Sequence, residues 1–202
     1  REDLLTNAQA RDHRLKLAIG FDERGAIVAA KNEVTSNAGA YSSYPFGCTL
    51  EPLGAARMSV GPYRIANYQF LTKAIATNTC PTGAYRGTGS VSAFVAMEGM
   101  MDRIARKLGL DPAEVRARNL VTQAEMPYVN ALGVRYDTGS YQESLQMAKL
   151  AIGYDEYRLR QPANRLVDGK YRGIGIASFV EVSGICAKGC AARGLRAITG
   201  DD

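Results

Sequence analysis

The clearest hydrophobic pattern along this chain lies between residues 90 and 108. Apolar side chains recur there at steps of three and four residues, the period of an α-helix: Val91, Phe94, Val95, Met101, Ile104 and Leu108. Ser90 is a suitable N-cap for this helix, and Gly109 suits the left-handed position that commonly follows a helix. Glu98 and Asp102, four residues apart, are then expected on the solvent-facing side. The pattern predicts a long amphipathic helix.

Three earlier stretches have the alternating or apolar character of β-strands: 15–21, 26–34 and 68–77. The first two are separated by the turn DERG, in which Gly25 readily adopts a positive φ. We therefore expect the first two strands to form a hairpin, and the third to lead into the start of the long helix.

Further helices are indicated by start and stop residues. Asp111 and Pro112 are typical of an N-cap followed by the first helical residue, and Ser140 with Glu143 forms a capping-box pattern. Helices are accordingly predicted around 53–58, 111–120, 141–152 and 155–160. The pattern as a whole indicates an α+β fold, with mixed or antiparallel strands and packed helices.

The end of the chain is predicted to begin a second unit. The polar stretch 161–170 contains proline and glycine and is the best candidate boundary, so we assign one domain to 1–165 and another to 166–202. Residues 171–182 are then expected to form a buried strand. Gly173 and Gly175 leave one of its faces without side chains, which allows close approach of another strand or of a ligand.

A glycine-rich loop directly before the long helix is the main candidate for chemistry. Gly83, Gly87 and Gly89 allow backbone conformations that other residues avoid, and Arg86 adds a positive charge beside the helix N-terminus. Such a loop can hold an anionic group against its backbone. The spacing matches no complete phosphate motif, so an ordinary turn with a solvated arginine is the alternative.

Composition and charge exclude several classes of protein. Of the 202 residues, 46% are hydrophobic and 22% charged, and the net charge of +5 comes from scattered basic residues, which argues against nucleic-acid binding. No apolar run approaches the roughly 20 residues of a membrane span. His13, the single histidine, lies in a polar stretch and is expected at the surface, so no catalytic triad can be assembled. We predict no catalytic residue and no metal ligand within the chain.

The cysteines bear on the cellular compartment. No two of them form a CxxC pair, and with one histidine they do not make a familiar zinc site: Cys48, Cys80, Cys186 and Cys190. We expect reduced thiols in a cytoplasmic protein, although four cysteines are also compatible with the periplasm.

Most of the chain resembles one enzyme family. Its segments follow one another as in the large, molybdopterin-binding subunit of the xanthine dehydrogenase/aldehyde oxidase family: NAQARDHRLKLAIGFDERG, GAYSSYP, GPYRIANY, CPTGAYRGTGSVSAFVAME, LGLDPAEVRARNL, EMPY and YRGIGIASFVE. The resemblance covers about 1–199 and implies partial molybdopterin-binding domains, the first ending before 166. The family's GGFG loop and its catalytic glutamate have no match here, so we expect an internal fragment that is inactive alone.

The resemblance also implies a reaction and its partners. Members of the family are molybdenum hydroxylases that oxidise aldehydes or aromatic heterocycles with oxygen from water. They bind a molybdenum–molybdopterin cofactor, in some cases as its cytosine dinucleotide form, and pass electrons to iron–sulfur centres and FAD on partner domains or subunits. The expected partners are therefore the remainder of the large subunit, iron–sulfur and flavin subunits, and a small-molecule substrate.

Carried over position by position, the resemblance assigns roles to the loop. Arg86 matches the family's cofactor-contacting arginine, while Gly87 and Gly89 would let the cofactor approach the backbone. Thr88 stands where many members place a phenylalanine that stacks on an aromatic substrate, and Gly54 stands where purine-oxidising members place an arginine. Gly87 also replaces the copper-binding cysteine of carbon-monoxide-oxidising members.

Three other interpretations are open at this point. The chain could be a non-catalytic interaction or assembly domain that keeps the fold and lacks the cofactor, or a carbon-monoxide-dehydrogenase-like subunit without the copper ligand. A basic module that binds RNA or anions is the third, and it would require clustered aromatic and lysine residues that this sequence lacks.

Overall fold

A computed structural model describes residues 1–43, 47–161 and 169–181 of the chain. The helices are α1 (Asp3–Thr6), α2 (Leu50–Met58), α3 (Ser90–Leu108), α4 (Pro112–Asn119), α5 (Tyr141–Ala151) and α6 (Tyr154–Arg160), with a 3-10 turn at Gln123–Glu125. The strands are β1 (His13–Phe21), β2 (Ile27–Gly39), β3 (Asn67–Ala76), β4 (Tyr128–Val129) and β5 (Arg135–Tyr136). The predicted α+β class is confirmed.

The main sheet contains three strands in the order β1-β2-β3. β1 and β2 form the predicted antiparallel hairpin, and β2 pairs with β3 in parallel. In the hairpin turn the Asp22 carboxylate accepts hydrogen bonds from the backbone N–H groups of Arg24 and Ala26, and Gly25 has a φ of +81°. The turn residues therefore stabilise the hairpin connection that the sequence predicts.

Helices α2 and α3 pack with the main sheet around the hydrophobic core. The largest buried cluster draws on β2, α3, α4, α5 and the segment between α2 and β3: Ile27, Ala30, Val60, Tyr63, Ile65, Met97, Met101, Ile104, Ala105, Val115, Leu120 and Leu145. None of the described helices is long and apolar enough to cross a membrane.

Of the two capping residues predicted for α3, only the one at the C-terminus is confirmed. Gly109 adopts the predicted left-handed conformation at the C-terminus, with a φ of +67°. At the other end the N-cap is Gly89 and not Ser90, which is already helical and makes no capping hydrogen bond. A positive φ of 78° at the cap requires glycine there, which explains the shift by one residue.

The buried face of α3 differs from the predicted one. Val91 and Val95 are exposed, at 46% and 72%, whereas Ala93 and Met97 are buried, and so is Glu98. The prediction of a solvent-facing Glu98 was therefore wrong. Contact with α2 favours small side chains on this face, and a buried partner, described next, compensates the charge of Glu98.

That partner is Arg116 of α4, whose side chain is fully buried. Its Nε lies 2.8 Å from Glu98 Oε2, and its Nη1 lies 2.8 Å from Asp102 Oδ1. The Tyr63 hydroxyl donates to Glu98 Oε1 at 2.5 Å, and burial beside this carboxylate raises the pKa of Tyr63 well above its ordinary value. The predicted N-cap of α4 is confirmed, since the Asp111 carboxylate accepts from two backbone N–H groups.

Residues 169–181 do not form the predicted buried strand. Within 171–181 no residue belongs to a strand, and exposed residues alternate with half-buried ones. The backbone N–H of Ser178 donates to Glu98 Oε2 at 2.9 Å. This amide is therefore bonded to a side chain of α3, whereas in a strand it would be bonded to the backbone of a neighbouring strand. Nothing described lies within 4 Å of a Cβ placed on Gly173 or Gly175.

Two further sequence predictions fall on residues outside the described ranges. The candidate boundary within 161–170 lies there except at its ends, and so does most of the second domain, 166–202. Cys186 and Cys190 also lie outside, whereas Cys48 and Cys80 are free thiols. The division into two domains stays a prediction.

Candidate functional site

The loop before α3 has an unusual backbone. We call residues 85–89 the Arg86 loop. Gly87, Thr88 and Gly89 have positive φ angles of 84°, 34° and 78° in succession. Hydrogen bonds of 2.9 Å close the loop, from Thr88 N to Tyr85 O and from Ser90 N to Gly87 O. A positive φ at a β-branched residue is strained, and such strain is typical of functional loops.

The two glycines of the Arg86 loop face different surroundings. A Cβ on Gly89 would overlap the backbone of Glu51 and Ala55 in α2, so helix packing already accounts for this glycine. A Cβ on Gly87 would lie 2.8 Å from Ser90 Oγ and 3.4 Å from Glu181 Oε1. A Cβ on Gly87 would also meet Val91 Cγ2 at 3.4 Å, so this position too is in contact with the start of α3. The ligand roles predicted for Gly87 and Gly89 stay predictions.

Arg86 lies on the exposed side of the loop. Its side chain is exposed, while its carbonyl oxygen accepts a hydrogen bond of 2.6 Å from Nη2 of Arg11. The same guanidinium group donates to the carbonyl oxygen of Tyr85. The backbone at Arg86 is thus tied to the protein, and the charged end of its side chain is available to a ligand.

Glu181 also lies in this region, although no sequence motif indicates it. Its Oε1 accepts a hydrogen bond of 3.2 Å from the hydroxyl of Ser90, the first residue of α3. The neighbouring Phe179 stacks on Phe94 of α3, with ring centroids 5.0 Å apart. An acidic group at a helix N-terminus is electrostatically favourable, so the carboxylate lies where the sequence predicted an external anion.

A buried charged cluster lies beneath the Arg86 loop. It consists of Arg11, His13 and Glu51, whose side chains are 16%, 2% and 1% exposed. Glu51 Oε2 lies 3.5 Å from Arg11 Nε and 3.8 Å from His13 Nε2. The predicted surface position of His13 was therefore wrong, because the start of β1 turns its side chain towards α2.

Burial determines the protonation of His13. It lowers the pKa of this imidazole from its ordinary value, against the attraction of the Glu51 and Asp12 carboxylates and together with the repulsion of Arg11. His13 Nδ1 lies 3.1 Å from the hydroxyl of Ser92 in α3. This contact suits either tautomer of the ring, because the Ser92 hydroxyl can donate or accept.

The arrangement suits binding of a polar or anionic group more than catalysis by the chain itself. Arg86, with its exposed side chain, Gly87 and Ser90 lie close together in sequence at the start of α3, and the Ser90 hydroxyl donates to Glu181. Among the described residues, no three histidine, cysteine or acidic side chains are grouped so that they could hold a metal ion.

Comparison with known proteins gives a consistent result. A family profile for the molybdopterin cofactor-binding domain matches residues 1–120. The nicotine 6-hydroxylase large subunit of Paenarthrobacter nicotinovorans is 34% identical over 185 residues, which are 91% of this chain and 22% of the relative. The carbon monoxide dehydrogenase large chain of Hydrogenophaga pseudoflava is 32% identical over 187 residues, 91% of this chain and 23% of that protein.

The fold has solved counterparts as well. The crystal structure of quinoline 2-oxidoreductase from Pseudomonas putida 86 superposes with a TM-score of 0.76 and 32% identity, over 81% of this chain and 21% of that one. This chain therefore spans less than a quarter of the length of the proteins it resembles.

Proposed function

The chain belongs to the molybdopterin cofactor-binding domain family, and from this membership we propose that it forms part of the large subunit of a molybdenum-dependent hydroxylase. The observation that carries the proposal is the Arg86 loop. It presents an exposed guanidinium beside a position without a side chain, on a backbone held by Arg11. It also lies within the residues that the family profile matches.

The residues of the loop fit a molybdopterin cofactor in a specific way. A side chain on Gly87 would collide with the hydroxyl of Ser90, whereas glycine would let a ligand approach the backbone of the loop. Arg86 would donate charged hydrogen bonds to a polar or anionic part of the cofactor. Gly89 would act indirectly, by letting α2 pack against the loop. When bound, the molybdenum centre supplies the redox chemistry of the reaction.

Other groups would have to complete the site. No catalytic residue is proposed within this chain, whose part is to bind and orient the cofactor. We propose that the remainder of the large subunit supplies the catalytic base and the other wall of the cofactor site. The names of the relatives describe large subunits or chains, which is consistent with assembly with further subunits.

The proposed substrates are aldehydes or nitrogen heterocycles. Thr88 would face the substrate and is too small to stack on an aromatic ring as a phenylalanine would. Gly87 offers no thiolate to a copper ion, which disfavours oxidation of carbon monoxide. The relatives named for nicotine and quinoline act on compounds of the heterocyclic class.

The electron path and the form of the cofactor are finer parts of the same proposal. We propose the cytosine dinucleotide form of molybdopterin, and iron–sulfur and FAD groups on partner subunits that accept the electrons. A cytoplasmic location is proposed because the described cysteines, Cys48 and Cys80, are free thiols.

The experiment uses the complete large subunit and measures molybdenum per polypeptide by elemental analysis. Arg86→Ala is compared with Arg103→Ala, which removes an exposed arginine from the C-terminal half of α3. A charged hydrogen bond is worth about 1.5–3 kcal/mol, so Arg86→Ala should lower cofactor affinity at least roughly tenfold. Equal occupancy in the two variants would contradict the proposed function.

A further inference from the structure

The Arg11–His13–Glu51 cluster is costly for a protein to maintain. Arg11 Nε, His13 Nε2 and Glu51 Oε2 are buried, and none has a hydrogen-bonding partner within the described residues. Buried charges without full hydrogen bonding destabilise a fold, since desolvation is not completely compensated. A cluster that serves stability alone would be better replaced by apolar side chains. The hydrogen bonds that the cluster makes to the backbone of the Arg86 loop indicate a further role.

These outward bonds converge on the backbone at Arg86. Arg11 Nη2 donates to the carbonyl oxygen of Tyr85 and, at 2.6 Å, to the carbonyl oxygen of Arg86. Glu51 Oε1 accepts from the backbone N–H of Tyr85 at 3.3 Å. The peptide groups on both sides of the Arg86 Cα are therefore held by one guanidinium. This fixes the direction in which the Arg86 side chain leaves the loop.

We propose that Arg11 and Glu51, supported by His13, are positioning residues that hold Arg86 in the orientation required to bind the cofactor. This inference rests on the proposed function of Arg86. A binding group that is oriented beforehand loses less freedom when its ligand arrives, so the cluster raises affinity without touching the ligand.

The charges of the cluster are consistent with this role. The guanidinium of Arg11 lies beneath a loop that carries a second arginine, and the carboxylate of Glu51 offsets the repulsion between them. His13 connects the cluster to the first turn of α3 through the hydroxyl of Ser92. Loop, helix start and α2 are thus joined by one set of polar contacts.

A double-mutant cycle in the complete large subunit tests the inference. Arg11→Lys keeps the charge but replaces the planar guanidinium by a point donor that does not reproduce the bond to both carbonyl groups. We expect it to lower cofactor affinity several-fold, measured as the rate of cofactor loss and as retained molybdenum. In the Arg86→Ala background, Arg11→Lys should change affinity by less than about twofold, because its effect passes through Arg86.

The matched control is Arg118→Lys. Arg118 also donates to a backbone carbonyl, that of Arg24, but in the turn between β1 and β2. It should leave cofactor retention unchanged. Glu51→Gln is a second test, because Glu51 accepts the hydrogen bond from the backbone N–H of Tyr85. It replaces Arg11→Lys in the double-mutant cycle if the Arg11 variant does not fold.

The possible outcomes separate the two proposals. If Arg86→Ala lowers cofactor retention while Arg11→Lys and Glu51→Gln behave like the control, the positioning role is refuted and the proposed function stands. If the effects of Arg11→Lys and Arg86→Ala simply multiply, Arg11 acts on the fold independently of Arg86, and the inference is equally overturned. If Arg86→Ala itself has no effect, the proposed function fails first.

Discussion

The backbone of Gly54 in α2 lies so close to the carbonyl oxygen of Thr88 that a methyl group at Gly54 would overlap this oxygen. Gly89 makes the reciprocal contact, since a Cβ there would meet the backbone of α2. The helix and the Arg86 loop are therefore packed main chain against main chain. Any side chain at position 54, including an arginine, would require a different spacing between helix and loop.

This packing predicts the effect of a single methyl group. Gly54→Ala should destabilise the protein by about 1–3 kcal/mol, the usual cost of overpacking, because backbone must move to accommodate it. Gly99→Ala is the control: Gly99 is exposed within α3, and nothing described lies within 4 Å of its Cβ position. That variant should gain up to about 1 kcal/mol from helix propensity. Urea unfolding measures both, and equal effects would contradict the packing argument.

Glu98 should be much more important for stability than an ordinary surface carboxylate. Glu98→Gln removes the charge opposite Arg116 Nε and leaves the buried guanidinium paired only with Asp102 through its Nη1. The variant should therefore lose about 3 kcal/mol in free energy of unfolding, at the lower end of the cost of breaking a buried ion pair. Glu114→Gln breaks the exposed pair with Arg118 and should cost roughly 1 kcal/mol or less. A Glu98 variant as stable as the Glu114 variant would show that the network contributes little.

The buried imidazole of His13 predicts a pH dependence of stability. Its pKa is lowered in the folded state, chiefly by burial, so between this lowered pKa and the ordinary value the unfolded chain binds more protons. Stability should therefore fall as the pH decreases below about 6.5, and the loss should stop below the folded-state pKa. The groups that modulate this titration are Glu51, Arg11 and Asp12.

His13→Gln isolates this effect. The variant should lose the part of the slope that lies below about pH 6.5, while carboxylates with lowered pKa values, such as Glu125, titrate at lower pH in both proteins. Unfolding free energies measured in urea between neutral and mildly acidic pH provide the comparison. An identical slope in both proteins would mean that His13 is charged without penalty in the fold.

The loop also predicts which substrates the complete enzyme prefers. Carbon monoxide should not be oxidised, since Gly87 cannot bind copper through a thiolate. Xanthine should be a poor substrate, because Thr88 cannot stack on its ring and Gly54 cannot hold a purine oxygen; the missing stacking alone is worth about 0.5–1.5 kcal/mol. Aldehydes, which need no stacking partner, and nitrogen heterocycles bulkier than a purine, for which the small Thr88 leaves room, should be turned over faster. Strong turnover of carbon monoxide or xanthine, with no turnover of the aldehydes and bulkier heterocycles assayed beside them, would contradict this prediction.

Local signals in the sequence predicted most of the helices and strands correctly. The turn ending in Gly25, the N-cap Asp111 and the left-handed Gly109 each act within a few residues, so their effect can be inferred without knowing the fold. The same holds for the approximate extent of β1, β2 and α3. Contacts close in sequence are encoded in short patterns.

The buried polar groups could not be predicted in this way. Glu98 and Arg116 are 18 residues apart, and Ser178 is 80 residues from the carboxylate that it contacts. Glu98 and Asp102 have the spacing of an exposed pair, and only the approach of α4 shows that one of them is buried. His13 and Glu51 belong to different elements, so their contact depends on how α2 packs on the sheet. Such pairs are decided by tertiary structure.

The hydrogen bond from Ser178 to Glu98 has a consequence for hydrogen–deuterium exchange. Residues 171–181 lack the ladder of a sheet, so most of their amide protons should exchange rapidly with the solvent. The Ser178 amide is bonded to a carboxylate that also binds Arg116 and Tyr63, and it can exchange only when this network opens. Slow deuterium uptake at this one amide therefore reports on the opening of the α3–α4 interface.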